Sequence, residues 1–375
     1  MKIAIVSDRV YPFFKGGGEK RYWDIAKELI KRGHEIHFYT GQWHGMKKEM
    51  KIEGIYLHGV YKVKNFYVNG KKSIKESLIY SLKLFPVLLK ADFDVIDCEQ
   101  MPLFSMFPSK LASIIKSKKL ILTWHEAWGK EYWKKYLGKK GILGYFVEKI
   151  VVKLPHKIIS ISNHTTKGLQ EKLNVPKENI ITIPNGIEFK DIQKVKPSKE
   201  KSDIIFAGRL LSHKNVDLLI KSISIIKKSN PRIKTIIIGD GPEKENLVKL
   251  VKELKLEKNV KFTGFLPEIE QMYNFFKSSK VFAFPSEREG FGIAVIEALA
   301  CGLPVVTINH INNASKDLIE QGKNGFIAEF NEKSIVEKII KAIKSSKSMK
   351  QNCINSAKPY EWDKLIDKFE EVYGG

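Results

Sequence analysis

Short β-branched runs alternate with longer amphipathic stretches along this chain, and that alternation limits the fold more than any other feature. KIAIVSD is followed by a helical pattern from Gly18 to Arg32 and then by HEIHFYT; DVIDCE, KLILTWHE and HKIISIS come later. A second series begins after the Lys/Pro-rich stretch DIQKVKPSKEKS. It runs DIIFAGR, a helix from Val216 to Ser229, KTIIIGDG, a helix from Glu243 to Leu254, VKFTGF, another helix, KVFAFPS, a helix, LPVVTI and GFIAE. Strands joined by helix-sized crossovers pair in parallel. Two parallel α/β sheets, each covered by helices, are therefore expected, with a linker near residues 189–202. At 375 residues, 43% of them hydrophobic, the chain can fill both cores.

No uninterrupted apolar stretch reaches the roughly 18 to 20 residues that cross a bilayer, and MKIAIVSDRVYPFF meets charge too soon for a signal peptide. A cytoplasmic location is expected. Cys98, Cys301 and Cys353 are odd in number and far apart, which fits neither a disulfide framework nor a Cys-x-x-Cys metal site. The net charge of +23 is uneven: residues 1–200 hold 37 Lys+Arg against 20 Asp+Glu, a surplus of 17, and residues 201–375 hold 28 against 22, a surplus of 6. Such a field favours an anionic partner: nucleotide, phosphorylated lipid, membrane surface or nucleic acid. Solvated surface lysine is the plain alternative. A nucleic-acid-binding protein would show a recognisable binding module, and none is visible, so no nucleic acid is expected as partner.

Ligands of open parallel sheets bind beyond the carboxyl ends of the strands, so chemistry is sought in those turns. DRVYPFFKGGGEKR sets Gly16, Gly17 and Gly18 at a helix start, where a phosphate can approach open backbone N–H groups. The spacing is neither Gly-x-Gly-x-x-Gly nor a P-loop, and a flexible turn explains it nearly as well. In TWHEAW, His125 follows an apolar strand and can donate to a substrate hydroxyl or take a proton, with a structural role as the alternative. FAGRLLSHKN offers Arg209 and Lys214 across one turn, two cations suited to a diphosphate, against a chance pairing in a lysine-rich chain. IIIGDGPEKENL holds Gly239 and Gly241 without a third glycine or a convincing acidic partner, so it reads as a close-packed turn suited to lining a nucleotide base.

SEREGFGIAVIEALACGLPVV, residues 286–306, is the most informative turn. Gly290 and Gly292 turn the chain after Pro285, a helix runs from about Ile293 to Ala300, and the N–H groups of residues 291–294 face a ligand. Glu289 sits in the turn and Glu297 lies more than one helical turn inside. A carboxylate that accepts from two neighbouring hydroxyls holds a ribose or hexose diol. The plainer alternative has Glu297 capped by a lysine and Glu289 solvated. Charge within IAVIEALA is costly unless paired or bound, which weighs against that alternative.

These residues resemble the GT-B retaining glycosyltransferases of family four (glycosyl transferases group 1), whose Glu-x7-Glu motif lies inside E-G-F-G-x-x-x-x-E-A-x-A-x-G-x-P-V-V; the match runs from Glu289 to Val306. Pro12 with Gly16 to Gly18, RGHEI, Asn163 in SISNHTTKGL, IPNGIE, GRLLSHK and the closing YEWDKLIDKFEEVY extend the resemblance over almost the whole chain. It implies an α/β fold of two Rossmann-like parallel-sheet domains facing across a cleft. Residues 1–190 would form the acceptor side, completed by a C-terminal helix at about 358–373, and 203–357 the nucleotide-sugar domain. Carried over by position, Gly17 and Gly18 approach the donor diphosphate, Arg209 and Lys214 neutralise it, and Glu297 holds the ribose hydroxyls. Glu289, with the backbone of Gly290, Phe291, Gly292 and Ile293, holds the transferred sugar, and His125 orients it. The base would lie between the 239–242 turn, including Gly241, and the segment around Phe265 and Leu266.

The implied reaction is transfer of a hexose from UDP-hexose or GDP-mannose to a glycan or lipid-linked hydroxyl with retained anomeric configuration. The nucleotide sugar is a substrate, and no cofactor is expected. Cations at the diphosphate lower the barrier without a metal. Asp92-Phe93-Asp94 has the form of a metal-binding Asp-x-Asp but only precedes a strand, so no metal site is expected. Where the family usually has Gly-Gly-x-x-Glu, this chain reads TINHINNASKDLI, which leaves that loop open. Trp124 to Lys149 interleaves aromatics with Lys134, Lys135, Lys139 and Lys140, a mixture found on anionic membrane surfaces and equally in a helix pair whose aromatics are core. A membrane surface is thus a further candidate partner, which would make the protein peripheral on the inner membrane face. A sugar-nucleotide epimerase or a phosphorylase would keep the fold and change the reaction; the two glutamates with Gly-Phe-Gly argue for the transferase.

Overall fold

Ile3, Ala4, Ile5 and Val6 are wholly buried, as a strand covered on both faces requires. The computed structural model describes residues 1–68 and 71–374. These divide into a first unit, Met1–Asn185 with Trp362–Gly375, and a second, Gly186–Glu361.

The first unit is built on an eight-stranded sheet in the order Ile180–Thr182, Lys157–Ser160, Lys119–Trp124, Val95–Glu99, Lys2–Val6, Glu35–Gln42, Ile55–Lys62, Glu49–Ile52. Every pairing is parallel except that of the last two strands. Chain order reverses between Lys2–Val6 and Val95–Glu99, so the connections leave these neighbouring strands in opposite directions. One sheet face packs on Tyr80, Leu84, Met106 and Val151 from three helices. The other packs on helix Gly17–Lys31 and the C-terminal helix Trp362–Gly374.

That last helix contributes Trp362, Leu365, Ile366 and Phe369 to the core. Burying four such side chains stabilises it by about 1.5–3 kcal/mol each, more than the net worth of its hydrogen bonds, roughly 1 kcal/mol apiece. Its polar contact sets position: Tyr373 Oη donates to Asp97 Oδ2 at 2.6 Å, and the Tyr22 and Thr123 hydroxyls donate to Asp97 Oδ1 at 3.1 and 3.0 Å. Burial pushes the Asp97 carboxyl up, and these donors oppose that shift. Arg21, also buried, lies over the Phe369 ring at 5.2 Å and donates to Ile183 O.

The second unit carries six parallel strands ordered Val260–Gly264, Thr235–Ile238, Ile204–Ala207, Val281–Phe284, Val305–Ile308, Gly325–Ala328. Its reversal lies between Ile204–Ala207 and Val281–Phe284.

Four expectations about boundaries are corrected. The first unit ends at Asn185 rather than 190, and the second begins at Gly186 rather than 203. Residues 189–202 are no free linker: Phe189–Lys194 is a helix with Phe189 and Ile192 buried, Gln193 Nε2 donates to Ala300 O at 2.7 Å, and Ser198 N donates to Asn274 O at 2.9 Å. Lys/Pro content marked this stretch as a linker, but its apolar residues fasten it to the second core. Residues 358–361 likewise stay with the second unit, where Ile187 N donates to Tyr360 O at 2.8 Å, and the returning helix starts at Trp362.

Tyr373→Phe should destabilise the first unit by about 1–3 kcal/mol through loss of a donor to a buried carboxyl. Phe369→Ala should cost more, about 3–5 kcal/mol, by opening a cavity. Urea denaturation of both variants checks this order; a larger loss for Tyr373→Phe would mean that the polar contact, not packing, holds the helix.

Candidate functional site

In the second unit, the sequence from Ile204 to Lys214 forms a strand, a turn and one turn of 3-10 helix, which carries Lys214 to the reversal point. Lys214 Nζ donates to Glu289 Oε1, and both side chains are mostly buried. The Lys214 ammonium also stands 5.1 Å from the Phe284 ring centre, a cation–π contact. Arg209 is exposed and, among the described residues, makes no ion pair. One cation is therefore already matched by a carboxylate and the other is open to an anion.

Glu289 is held through its backbone. Its N–H donates to Asn312 O at 3.0 Å and its carbonyl accepts from Ala314 N at 3.0 Å. Asn313, fully buried, accepts from Ser315 N at 3.1 Å and donates from Nδ2 to Ile308 O at 2.9 Å, which fixes that loop. The stretch TINHINNASKDLI, which sequence left open, is thus the support of Glu289. Gly292 has φ +100°, and a Cβ there would meet Ser315 Cβ at 2.6 Å, so glycine is required for both conformation and space. Ile293–Ala300 is helical, as expected, with Gly292 at its N-cap. Phe291 is buried against the Tyr360 ring, centres 5.7 Å apart, which anchors the turn on which Gly290 lies.

Glu297 is buried and accepts from Tyr273 Oη at 2.8 Å. The lysine-capped carboxylate is Glu289, and Glu297 is met by a tyrosine, the reverse of the plain alternative read from sequence. Gly239 N donates to Gly264 O at 2.9 Å, which sets the 239–242 turn beside Phe265 and Leu266. Phe265 is 57% exposed. A Cβ on Gly241 would meet Leu210 O at 2.4 Å, so that turn also packs against the residue after Arg209.

In the first unit, Gly17 and Gly18 begin a helix whose N-cap, Gly16, offers no side-chain acceptor. A Cβ on Gly18 would stand 3.3 Å from Glu99 Oε1 and 3.6 Å from His125 Cε1, so these three residues meet where strand order reverses. His125 Nε2 lies 3.6 Å from Glu99 Oε1, is buried, and has no hydrogen-bond partner among the described residues. Burial, reinforced by Arg21 and Arg9, lowers the His125 imidazole to about 3. It is neutral throughout the physiological range and suited to hydrogen bonding rather than to carrying charge.

Sequence reasoning missed what surrounds His125. Glu99 accepts from Ser7 Oγ and from Arg9 Nη2 at 3.4 Å; Arg9 Nε pairs with Glu19 at 2.8 Å; Lys72 pairs with Asp8 at 2.6 Å. Gln100 Oε1 accepts from the N–H groups of His125 and Glu126 at 3.0 and 3.1 Å, and its Nε2 donates to Glu126 O at 2.7 Å. The signal was present: Glu99 and Gln100 end the run DVIDCEQ, at the position where ligands are sought. The Asp92-Phe93-Asp94 pair lies before that strand, with Asp92 bound to Lys2 at 2.7 Å and Asp94 to Lys2 N at 2.8 Å.

The segment after His125 is a helix pair, Gly129–Leu137 and Gly141–Val151. Trp128 packs against Tyr132, Trp133 and Tyr136 with centres 4.6, 4.8 and 5.2 Å apart, and Trp133 is buried. These aromatics face their own core. Glu148, buried beneath them, accepts from Trp128 N and Gly129 N, both at 3.1 Å, and from Trp133 Nε1 at 2.8 Å. Among the described residues no helix is long and apolar enough to cross a membrane.

Two parallel-sheet units, each with a ligand-ready turn at its reversal point, are the architecture of GT-B glycosyltransferases. Sucrose-phosphate synthase from Thermosynechococcus elongatus superposes with a TM-score of 0.84 over 100% of this chain and 98% of that one at 15% identity. Anabaena Alr3699/HepE, solved in complex with UDP-glucose, gives 0.77 over 100% and 99% at 19% identity. Residues 188–359 match the family described as glycosyl transferases group 1, and residues 15–191 match Glycosyltransferase Family 4. The chain belongs to the group 1 glycosyltransferases. An uncharacterized glycosyltransferase of Haemophilus influenzae is 29% identical over 88% of this chain and 86% of its own length.

Burial raises the Glu148 carboxyl to about 7, against the pull of its three donors. An unfolded glutamic acid titrates at about 4.3, so between these values the native state holds more protons than the unfolded one, and stability falls as pH rises through that window by about 4 kcal/mol. Glu148→Gln should flatten this part of the profile. Urea midpoints from pH 5 to 8 test it; parallel profiles would show that Glu148 titrates normally.

Proposed function

We propose that this glycosyltransferase moves a hexose from a nucleotide sugar, UDP-hexose or GDP-mannose, to a hydroxyl of a glycan or lipid-linked acceptor, with retention and without a metal ion. The observation that carries the reading is the Lys214–Glu289 pair beside exposed Arg209 at the reversal point of the second sheet. The UDP-glucose complex of the Anabaena neighbour supports a nucleotide-sugar donor.

A diphosphate arriving at Arg209 would draw Lys214 from Glu289 and leave that carboxylate free to accept from hydroxyls of the sugar. Glu297, fixed by Tyr273, would hold the ribose, and Phe265 would cover the base. The bond from the anomeric carbon to the phosphate oxygen breaks as the acceptor oxygen bonds to the same face of that carbon. The acceptor proton passes to the departing phosphate oxygen. Arg209 and Lys214 stabilise the charge that grows there, so cations already in place lower the barrier. His125, neutral and with a free Nε2, would hydrogen-bond the sugar, and Gly17 and Gly18 would admit the phosphates to the open helix start.

Glu289→Ala should lower kcat by about 10²–10³ with little loss of nucleoside diphosphate affinity. Glu297→Ala should instead weaken nucleotide binding. Equal effects on both measurements would reverse or merge the assigned roles. A donor panel of UDP-glucose, UDP-galactose, UDP-N-acetylglucosamine and GDP-mannose, read as thermal protection and slow donor hydrolysis, tests the class. Protection by none of them, or activity abolished by a chelator, would overturn the reading.

The low pKa of His125 adds a sign. Its ionisation lies below the working range, so kcat between pH 5.5 and 8 should show no acid limb that disappears in His125→Gln. Such a limb would place the imidazole in proton transfer instead.

A further inference from the structure

Three helices on one side of the first sheet carry apolar stripes that face water. Ile74, Leu78 and Leu82 are exposed along helix Ile74–Lys90. Phe107, Leu111, Ile114 and Ile115 are exposed along Met106–Lys116. Leu143, Phe146 and Ile150 are exposed along Gly141–Val151. Spacings of three and four residues place each set on one helix face, and the opposite faces supply Tyr80, Leu84, Met106 and Val151 to the core. These helices are amphipathic twice over, with one apolar side buried and a second left to water.

The helices are neighbours. Ile74–Lys90 packs on Met106–Lys116, and Gly141–Val151 packs on the short turn Leu103–Ser105 that leads into the latter. In the second unit the exposed large apolar side chains among the described residues are fewer: Ile225, Phe265, Ile269, Ile311 and Phe330. Contiguous apolar surface of this kind marks an interaction face. Its rim is basic: Lys75 and Lys83 flank the first stripe, and Lys139 and Lys140 lead into the third. The carboxylates of these three helices are Glu76 and Glu148, both buried, and exposed Glu131 lies on the separate helix Gly129–Leu137.

From this combination we propose that the helix faces 74–82, 107–115 and 143–150 dock on an anionic lipid bilayer. The apolar stripes enter the headgroup boundary, and the lysines meet lipid phosphates. A second copy of the chain fits less well, because it would bring the same lysines against one another, whereas anionic lipid supplies the opposite charge. The aromatic cluster around Trp128 is not the contact, since it faces the core. The inference rests on the lipid-linked branch of the acceptor reading above.

Cosedimentation of the full chain with phosphatidylcholine vesicles, with and without phosphatidylglycerol, tests the proposal. Wild type should pellet with the anionic vesicles and progressively less as salt rises. Leu82→Ser/Ile114→Ser/Leu143→Ser should bind them at least about tenfold more weakly. Its thermal protection by nucleotide sugar should be unchanged, which shows that the fold and donor site are intact. The single variant Leu82→Ser should fall between the two. Wild type remaining in the supernatant, undiminished binding by the triple variant, or a wild-type dimer that the triple variant converts to monomer would each overturn the proposal. Vesicle binding that persists in a protein protected by no nucleotide sugar would count against the transferase reading alone.

Discussion

Reversal of strand order is the constraint on which both candidate sites depend. Where chain connections leave two adjacent parallel strands in opposite directions, no crossover covers their carboxyl ends. Backbone and side-chain polar groups there must then find partners among nearby loops or in a ligand. In the first unit this falls between Val6 and Glu99, and Gly18, Glu99 and His125 gather there. In the second it falls between Ala207 and Phe284, and Arg209, Lys214 and Glu289 follow. The two sheets apply one topological rule to different side chains.

Each key residue is held by a neighbour that does no chemistry. Gln100 takes the backbone N–H groups on both sides of the His125 peptide, and the 312–314 backbone grips Glu289 from both directions. Such supports are amide side chains and main chain because they satisfy donors and acceptors at once without adding charge. Around His125, Glu99 and Arg9 balance each other, and the imidazole itself is kept neutral by burial and by nearby guanidinium groups.

Periodicity made most of the parallel strands and helix Ile293–Ala300 legible, because their pattern of burial is their pattern of sequence. It did not reveal Glu49–Ile52, Ile55–Lys62 or Ile180–Thr182, whose polar alternation or brevity reads as loop until a sheet edge is present to pair with them. The same limit explains the misplaced linker. Lysine and proline dominate 189–202, yet Phe189 and Ile192 decide its position by burial. At the site, glycine turns and isolated charges were readable from their place after strands. Asn313 and Gln100 were not, since an amide acquires a role only when the fold brings a distant backbone to it.

The Lys214–Glu289 pair shows why the second site tolerates burial of charge without a ligand. A buried ion pair recovers through mutual attraction part of what each partner loses in leaving water, and the remainder keeps its net contribution to stability small. On the proposed reading, a diphosphate beside Arg209 would offer Lys214 a new partner, and sugar hydroxyls would offer Glu289 donors in place of the ammonium. Such an exchange would keep both mostly buried charges matched, as their burial requires. Glu297 is held differently. It is met by a neutral donor, Tyr273 Oη, rather than by an ammonium. The two glutamates of the motif thus differ in their partners, an ammonium for Glu289 and a phenol for Glu297, a difference that their eight-residue spacing does not carry.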